Sequence, residues 1–255
     1  MASPVQVTLI ANTGLLLRYE DAAILLDALF SAGEHGFSAP SAGTWEKMLR
    51  GEPPFERVDY ALFTHLHGDH FSEERTLEFL ERRQLKGLLL PASEKPERQG
   101  FFDRVGETGT PCFVLTGQTA RATFRLAPVL QLSAFRTLHL DPKYHAVPHF
   151  CFLMDFGGKR LLFTSDVDYT AETLAFVGEE PLRAAFVNPL FFSALRRGRL
   201  FHGTLPAETV AVYHLPFPQQ DGRQLHRSLA RDLQAWPADG PAVLVLDREL
   251  QTAEL

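Results

Sequence analysis

The six positions His65-Leu66-His67-Gly68-Asp69-His70 hold three imidazoles and a carboxylate. On extended backbone His65 and His67, two apart, project to one side. Gly68 lacks a side chain and lets the chain turn sharply before Asp69 and His70. Two ring nitrogens on one side, with a carboxylate and an imidazole beyond the turn, can hold two cations a short distance apart. Imidazole and carboxylate without thiolate suit Zn²⁺, Fe or Mn²⁺ better than a structural thiolate cluster would. Cations about 3.5–4 Å apart share a water and lower its pKa enough to make a nucleophile near neutral pH, for attack at a carbonyl or phosphoryl centre. A site of that kind would support hydrolysis.

The flanking elements must present this cluster. The apolar run VDYALFT (58–64) reads as a strand that feeds it. Ser72, followed by Glu73 and Glu74, reads as the N-cap and acidic first turn of a helix to about Gln84. Upstream, VQVTLIA alternates, and GLLLRYE and AAILLDALF are apolar runs separated by the turn residues Gly14 and Asp21. Residues 31–58 are rich in Gly, Pro and Ser, and Thr44 is expected to cap a short helix through Arg50. Because it directly precedes the histidines, the segment 31–57 is expected to be a lid or substrate loop.

Downstream, GLLL, CFVL, ATFRL and VLQLSAFRTLHL read as strands, and HFCFLMDFGGKRLLFTSD as a hairpin around Gly157–Gly158. A strand near 184–188, a strand ending at His214, a helix within DGRQLHRSLARDLQAW and a last strand at 242–246 follow. Strands with interspersed helices predict a layered α/β sandwich.

THLHGDH resembles the HxHxDH signature of the metallo-β-lactamase-fold hydrolase superfamily. ILLDALF resembles the family's early strand ending in Asp, GGKRLLFTSD its hairpin strand ending in a bridging Asp, and VAVYHLPF its late strand ending in His. These landmarks fall in family order between residues 24 and 217. The resemblance implies one domain over 1–255, an α/β four-layer αββα sandwich of two mixed β-sheets flanked by helices, with a dinuclear metal site at one edge. Carried over by residue, it implies that His65 and His67 bind the first metal and Asp69 and His70 the second. Asp166 would bridge them, and His214 would complete the second site. Ser165 stands where the family more often has Gly. His202 and His226 compete with His214, but His202 precedes a Gly-Thr turn and His226 sits in an expected helix.

A third histidine for the first metal comes from His139, His145 or His149. His139 is favoured because it ends a strand ahead of the hairpin, and an unused candidate can orient a ligand or donate to substrate. The implied activity is metal-dependent hydrolysis of an ester, lactone or phosphodiester-type small molecule, most like the lactonase-type branch. Two divalent ions, Zn²⁺ before Mn²⁺ or Fe, would serve it, with Asp69 and Asp166 as catalytic residues. The alternatives are a non-catalytic metal-binding or scaffold member of the fold and an RNA-processing nuclease. The family's di-iron oxygen-reducing members carry Glu where His67 stands and a flavin domain, and this chain has neither.

Composition narrows the partners. With 25 Lys and Arg against 31 Asp and Glu, the net charge is −6, which offers phosphate backbones no general attraction. Arg196, Arg197 and Arg199 form the one concentrated basic stretch, read as a solvated turn rather than a phosphate contact. Nucleic acid is therefore not an expected partner. No apolar run approaches the ~20 residues that span a bilayer, and the N-terminus lacks the pattern of a secretory signal. A cytoplasmic protein with Cys112 and Cys151 as buried reduced thiols is expected. The phenylalanines of NPLFFSAL and GFSAP are read as core. The sequence leaves the oligomeric state open.

Overall fold

Successive residues of the central strands pack into different cores, and that alternation sets the layers. The computed structural model describes residues 3–32, 36–93, 98–170, 174–198 and 205–255. In chain order the strands are β1 (Gln6–Ala11), β2 (Gly14–Tyr19), β3 (Ala22–Leu26), β4 (Tyr60–Leu62), β5 (Gly87–Pro91), β6 (Cys112–Leu115) and β7 (Arg121–Ala127). They continue as β8 (Leu130–Thr137), β9 (His149–Phe156), β10 (Lys159–Phe163), β11 (Leu182–Val187), β12 (Ala207–Val212), β13 (Ala242–Val245) and β14 (Thr252–Glu254). Two seven-stranded sheets result, ordered β14-β1-β2-β3-β4-β5-β6 and β13-β12-β11-β10-β9-β8-β7. Both are mixed: β3 through β6 run parallel, as do β10 through β13, and the remaining pairs are antiparallel.

Leu9, Leu17, Ile24, Leu62, Phe152, Phe163 and Phe186 meet between the sheets. Their neighbours Ile10, Leu16, Leu25 and Phe63 face outward instead, under α1 (Ala42–Arg50), α2 (Glu73–Arg82) and α3 (Gln99–Glu107). Leu162, Ala185 and Val212 turn to the other outer face, under α4 (Pro189–Arg196) and α5 (Leu225–Gln234). The result is the expected αββα sandwich. It also explains why β1 is buried on both faces although its sequence alternates. A sheet covered by helix on one side and sheet on the other leaves no wet face.

Several expectations are corrected locally. Ser41, not Thr44, caps α1: the Thr44 amide donates to Ser41 Oγ at 3.2 Å, and Trp45, Met48 and Leu49 form the buried stripe. Ser72 caps α2 as expected, accepting from the Arg75 amide at 3.3 Å. The last strand is β14 rather than 242–246, and it closes the first sheet by pairing with β1. Cys112 is exposed, because β6 is a sheet edge; Cys151 is buried, and burial pushes its thiol up to about 12. Phe191 and Phe192 are core, as read. Among the described residues no helix is long and apolar enough to cross a membrane.

Candidate metal centre

The chemistry gathers where strands end. Asp27 follows β3, His65 lies just beyond β4, His139 beyond β8, Asp166 beyond β10, Asn188 beyond β11 and His214 beyond β12. These carboxyl ends share one edge of the sandwich, where open α/β sheets form their crevices. The backbone there is held in unfavourable conformations. Asn12, Asp27, Ser165 and His214 have φ of 43°, 47°, 51° and 59°, each worth on the order of 1–3 kcal/mol of strain for a residue with a side chain. Hydrogen bonds hold them: the His214 amide donates to Asn12 O at 3.0 Å, and Asn188 Nδ2 donates to Ser165 O at 2.9 Å. Ser165 thus takes the left-handed turn that favours Gly, and its hydroxyl lies 2.8 Å from Thr64 Oγ1.

Two groups of donor atoms converge. His65, His67 and His139 form one; Asp69, His70, Asp166 and His214 form the other; within each group the atoms lie within 4.8 Å of one another. His65 Nε2 stands 3.0 Å from His67 Nδ1, and His70 Nε2 stands 3.2 Å from His214 Nε2. Asp166 lies between the groups. Its Oδ2 is 3.9 Å from His65 Nε2, 3.5 Å from His139 Nε2 and 3.6 Å from His70 Nε2, while Oδ1 is 3.2 Å from His214 Nε2. Asp69 Oδ2 is 3.7 Å from His70 Nε2 and 3.5 Å from His214 Nε2.

The far nitrogens show that these donors are aimed. Asp27, fully buried, accepts from the Thr64 amide at 2.8 Å and from Thr64 Oγ1 at 2.6 Å. Thr64 has one hydroxyl proton and gives it to that carboxylate, so Oγ1 accepts from His65 Nδ1, 3.2 Å away. His70 Nδ1 donates to Asp27 Oδ2 at 3.1 Å. On neutral His65 the proton is thus fixed on the outer nitrogen and the Nε2 lone pair faces the cage. The Asp27 contact leaves His70 Nε2 as the atom that a cation would take in exchange for a proton, the arrangement in which imidazoles bind metal. Among the described residues, buried His139 Nε2 has no hydrogen-bond partner, an orphan that a cation would satisfy. His139 differs in one respect: the Asp141 amide donates to its Nδ1 at 3.0 Å, so a cation on Nε2 must displace the proton held there. The nitrogen and carboxylate donor set, with this orphan among it, fits divalent metal.

Electrostatics divides the histidines. Burial, reinforced by His70 and His149, pushes His65 well below its ordinary value, and burial with His139 and His70 takes His67 down to about 4. Burial also opposes protonation of His70, but Asp69, Asp166 and Asp27 together lift it well above the ordinary range. His214 is raised too, burial being outweighed by Asp166 and Asp69. Burial disfavours the charge on Asp166, yet His214, His139 and His70 hold its carboxyl well below the usual range. The neighbouring carboxylates thus favour the protonated forms of His70 and His214 in the metal-free protein.

Asp27 was legible in the sequence as a landmark but not as the residue that orients both His70 and the Thr64–His65 pair. Asp27→Asn keeps the shape and tolerates the left-handed backbone. It is expected to weaken cation binding about 10–100-fold, measured by competition with a coloured chelator. An unchanged affinity would deny Asp27 that role.

All seven expected ligands come together, whereas His145 and His226 join neither group; His226 Nε2 instead lies 2.8 Å from Pro216 O. His149 sits beside the cage, its ring 5.1 Å from that of His65 and its Nδ1 2.7 Å from Thr137 Oγ1. Arg196 is paired with Asp232; Arg199 and His202 lie outside the described residues. The cage opens on a cavity of about 490 Å³ whose walls include Phe37, Tyr144, Leu190 and Arg223. Phe37 therefore lines the pocket rather than the core.

A family model described as a beta-lactamase superfamily domain matches residues 23–215. Among solved structures, the metallo-beta-lactamase fold protein YhfI from Bacillus subtilis superposes with a TM-score of 0.65 at 16% identity, over 99% of each chain. Igni18, a metallo hydrolase from the archaeon Ignicoccus hospitalis, gives 0.63 at 16% identity, again over 99% of each chain. CmlA, a diiron beta-hydroxylase from Streptomyces venezuelae, gives 0.57 at 18% identity, over 100% of this chain and 55% of that one. No curated protein matches the chain.

Proposed function

The chain belongs to the metallo-β-lactamase superfamily, and from that premise we propose that it is a metal-dependent hydrolase of small esters, lactones or phosphodiesters. The observation that carries this reading is the pair of donor groups converging on Asp166 at the floor of one cavity. His65, His67 and His139 would hold one divalent cation and Asp69, His70 and His214 the other, with Asp166 between them; the donor types favour Zn²⁺ over Mn²⁺ or Fe. Two such ions supply Lewis acidity and a water acidic enough to act as nucleophile near neutral pH.

The protein's own groups do the rest. Asp69, its side chain 11% exposed at the cavity, orients the attacking water by accepting one of its protons in a hydrogen bond. Phe37, Leu140, Leu190 and Leu225 narrow the space around the reacting centre and exclude bulk water. Phe37 brings the segment 31–57 to this wall, which supports reading that segment as a substrate loop. Arg223 stands at the same wall, its guanidinium 4.7 Å over the Phe37 ring.

Prolonged chelation is expected to remove two cations per chain, counted by elemental analysis, and to abolish turnover in a panel of esters, lactones and phosphodiesters. Adding Zn²⁺ back should restore both. Two cations with no turnover across the panel would favour a binding or scaffold role; full turnover by the metal-free chain would end the proposal.

A further inference from the structure

Two cavities meet at the cage. The first is the 490 Å³ space onto which Asp69, His139, Asp166 and His214 open. A second, of about 400 Å³, lies on the other side of His67 and is walled by Leu66, Ala92, Ala146, Val147 and Pro148. Among the described residues the two linings share His67 and Tyr144 and nothing else.

Tyr144 is therefore the partition, and it is held in place. It closes the 3-10 turn Pro142–Tyr144, which Asp141 caps by accepting from the Lys143 amide at 3.1 Å. Its ring lies edge-on 4.4 Å from that of His67 and 5.1 Å from that of His139, and Lys143 Nζ sits 4.6 Å from the ring's centre. The Val147 amide donates to Tyr144 O at 2.8 Å, so the turn that carries the partition also builds the far wall of the second cavity.

The chemistry of the second cavity indicates its occupant. Among the described residues its walls are hydrocarbon apart from Ser93, the shared His67 and Tyr144, and one guanidinium, Arg98. That charge is already answered: Arg98 Nε lies 3.1 Å from Glu73 Oε1, and its guanidinium is 5.3 Å from the centre of the Phe71 ring. A carboxylate or phosphate would have to compete with Glu73, whereas an uncharged chain only displaces water from apolar wall.

We propose that this cavity is a subsite for an uncharged, unbranched hydrocarbon arm of the substrate, and that Tyr144 is the specificity-determining residue separating it from the reaction cavity. The part concerning the reaction rests on the hydrolase reading. A carbonyl placed over the cage would extend its arm past His67 and the edge of Tyr144.

The test has a binding half and a rate half. In the first, 2-alkanones of increasing length are titrated calorimetrically into the metal-free full chain. Affinity should rise about fourfold per buried methylene until the chamber is full. Ala146→Phe, at an exposed wall position, and separately Val147→Phe, should flatten that rise. In the second, Zn²⁺-loaded protein is assayed with p-nitrophenyl esters from acetate to decanoate. kcat/KM should climb with acyl length to the same limit; Tyr144→Ala should relax the limit and Tyr144→Phe keep it. Length-dependent ketone binding without ester hydrolysis supports the subsite and counts against the hydrolase. Ester hydrolysis with length-independent binding and rates overturns the subsite and leaves the hydrolase standing. Equal length dependence in the wild type and both wall variants also overturns it.

Discussion

Asp166→Ala is expected to leave a folded protein that retains at most one weakly bound cation and has lost its hydrolytic turnover. The reason is position. Asp166 Oδ2 lies within 3.9 Å of the Nε2 atoms of His65, His139 and His70, and Oδ1 within 3.2 Å of that of His214. No other carboxylate among the described residues reaches both donor groups. Its loss removes a shared ligand, an effect larger than the roughly 10–100-fold that follows loss of a ligand's supporting partner. Asp166→Asn separates charge from shape, since it fills the same space without the anion that His214, His139 and His70 stabilise. Elemental analysis and turnover should fall together in both variants, while the circular dichroism spectrum stays that of the wild type. Two cations retained near wild-type affinity in Asp166→Ala would mean that the groups bind independently and that Asp166 does not bridge them.

The strands and the first cluster were legible because their signals are local, whereas the four-layer order came from the family resemblance. The spacing of His65, His67, Asp69 and His70 needs only a strand end and Gly68. Asp166 and His214 became legible through the family resemblance, since a carboxylate or imidazole at a strand end carries no mark of its own. The choice between His139 and His149 was harder for a geometric reason. Thr137 and His149 are cross-strand partners in the β8–β9 pair, and His139 follows two residues beyond Thr137. Both imidazoles consequently arrive at the same edge, and ring direction, which no local pattern reports, separates them. Strand β14 was missed because its three residues are defined by pairing with β1 across almost the whole chain. Helix α4 was missed despite a readable start, the Asn188 cap followed by Pro189 at the first helical position. Helix α3 offered none, having no side-chain cap at Arg98. Ser41 and Thr44 are both cap-type residues, and only the buried stripe at Trp45, Met48 and Leu49 decides between them.

Cation binding to the two groups should respond very differently to pH. His70 is held well above its ordinary value and His214 is raised, so near pH 6 both Nε2 atoms carry protons that a cation must displace. Each displaced proton costs about tenfold in apparent affinity per pH unit below the folded pKa values, so two cost about a hundredfold per unit. His65, depressed well below 6.5, and His67, at about 4, are already neutral there, so that in the first group only the His139 Nε2 proton stands in the way of a cation. Acidification is therefore expected to empty the Asp69–His70–Asp166–His214 group first. The same shifts act on the metal-free fold with opposite signs. The stability supplied by His70 and His214 is complete below pH 6.5 and is lost as pH rises through their raised values. The depressed His65, His67 and His149 act the other way, costing stability as pH falls below 6.5 and the unfolded chain takes up protons that the fold refuses. Zn²⁺ titrations in buffers of different ionisation enthalpy should count about two protons released at pH 6 and fewer as pH rises. Equal pH dependence of the two binding steps, with no proton released at pH 6, would show that His70 and His214 do not carry those charges.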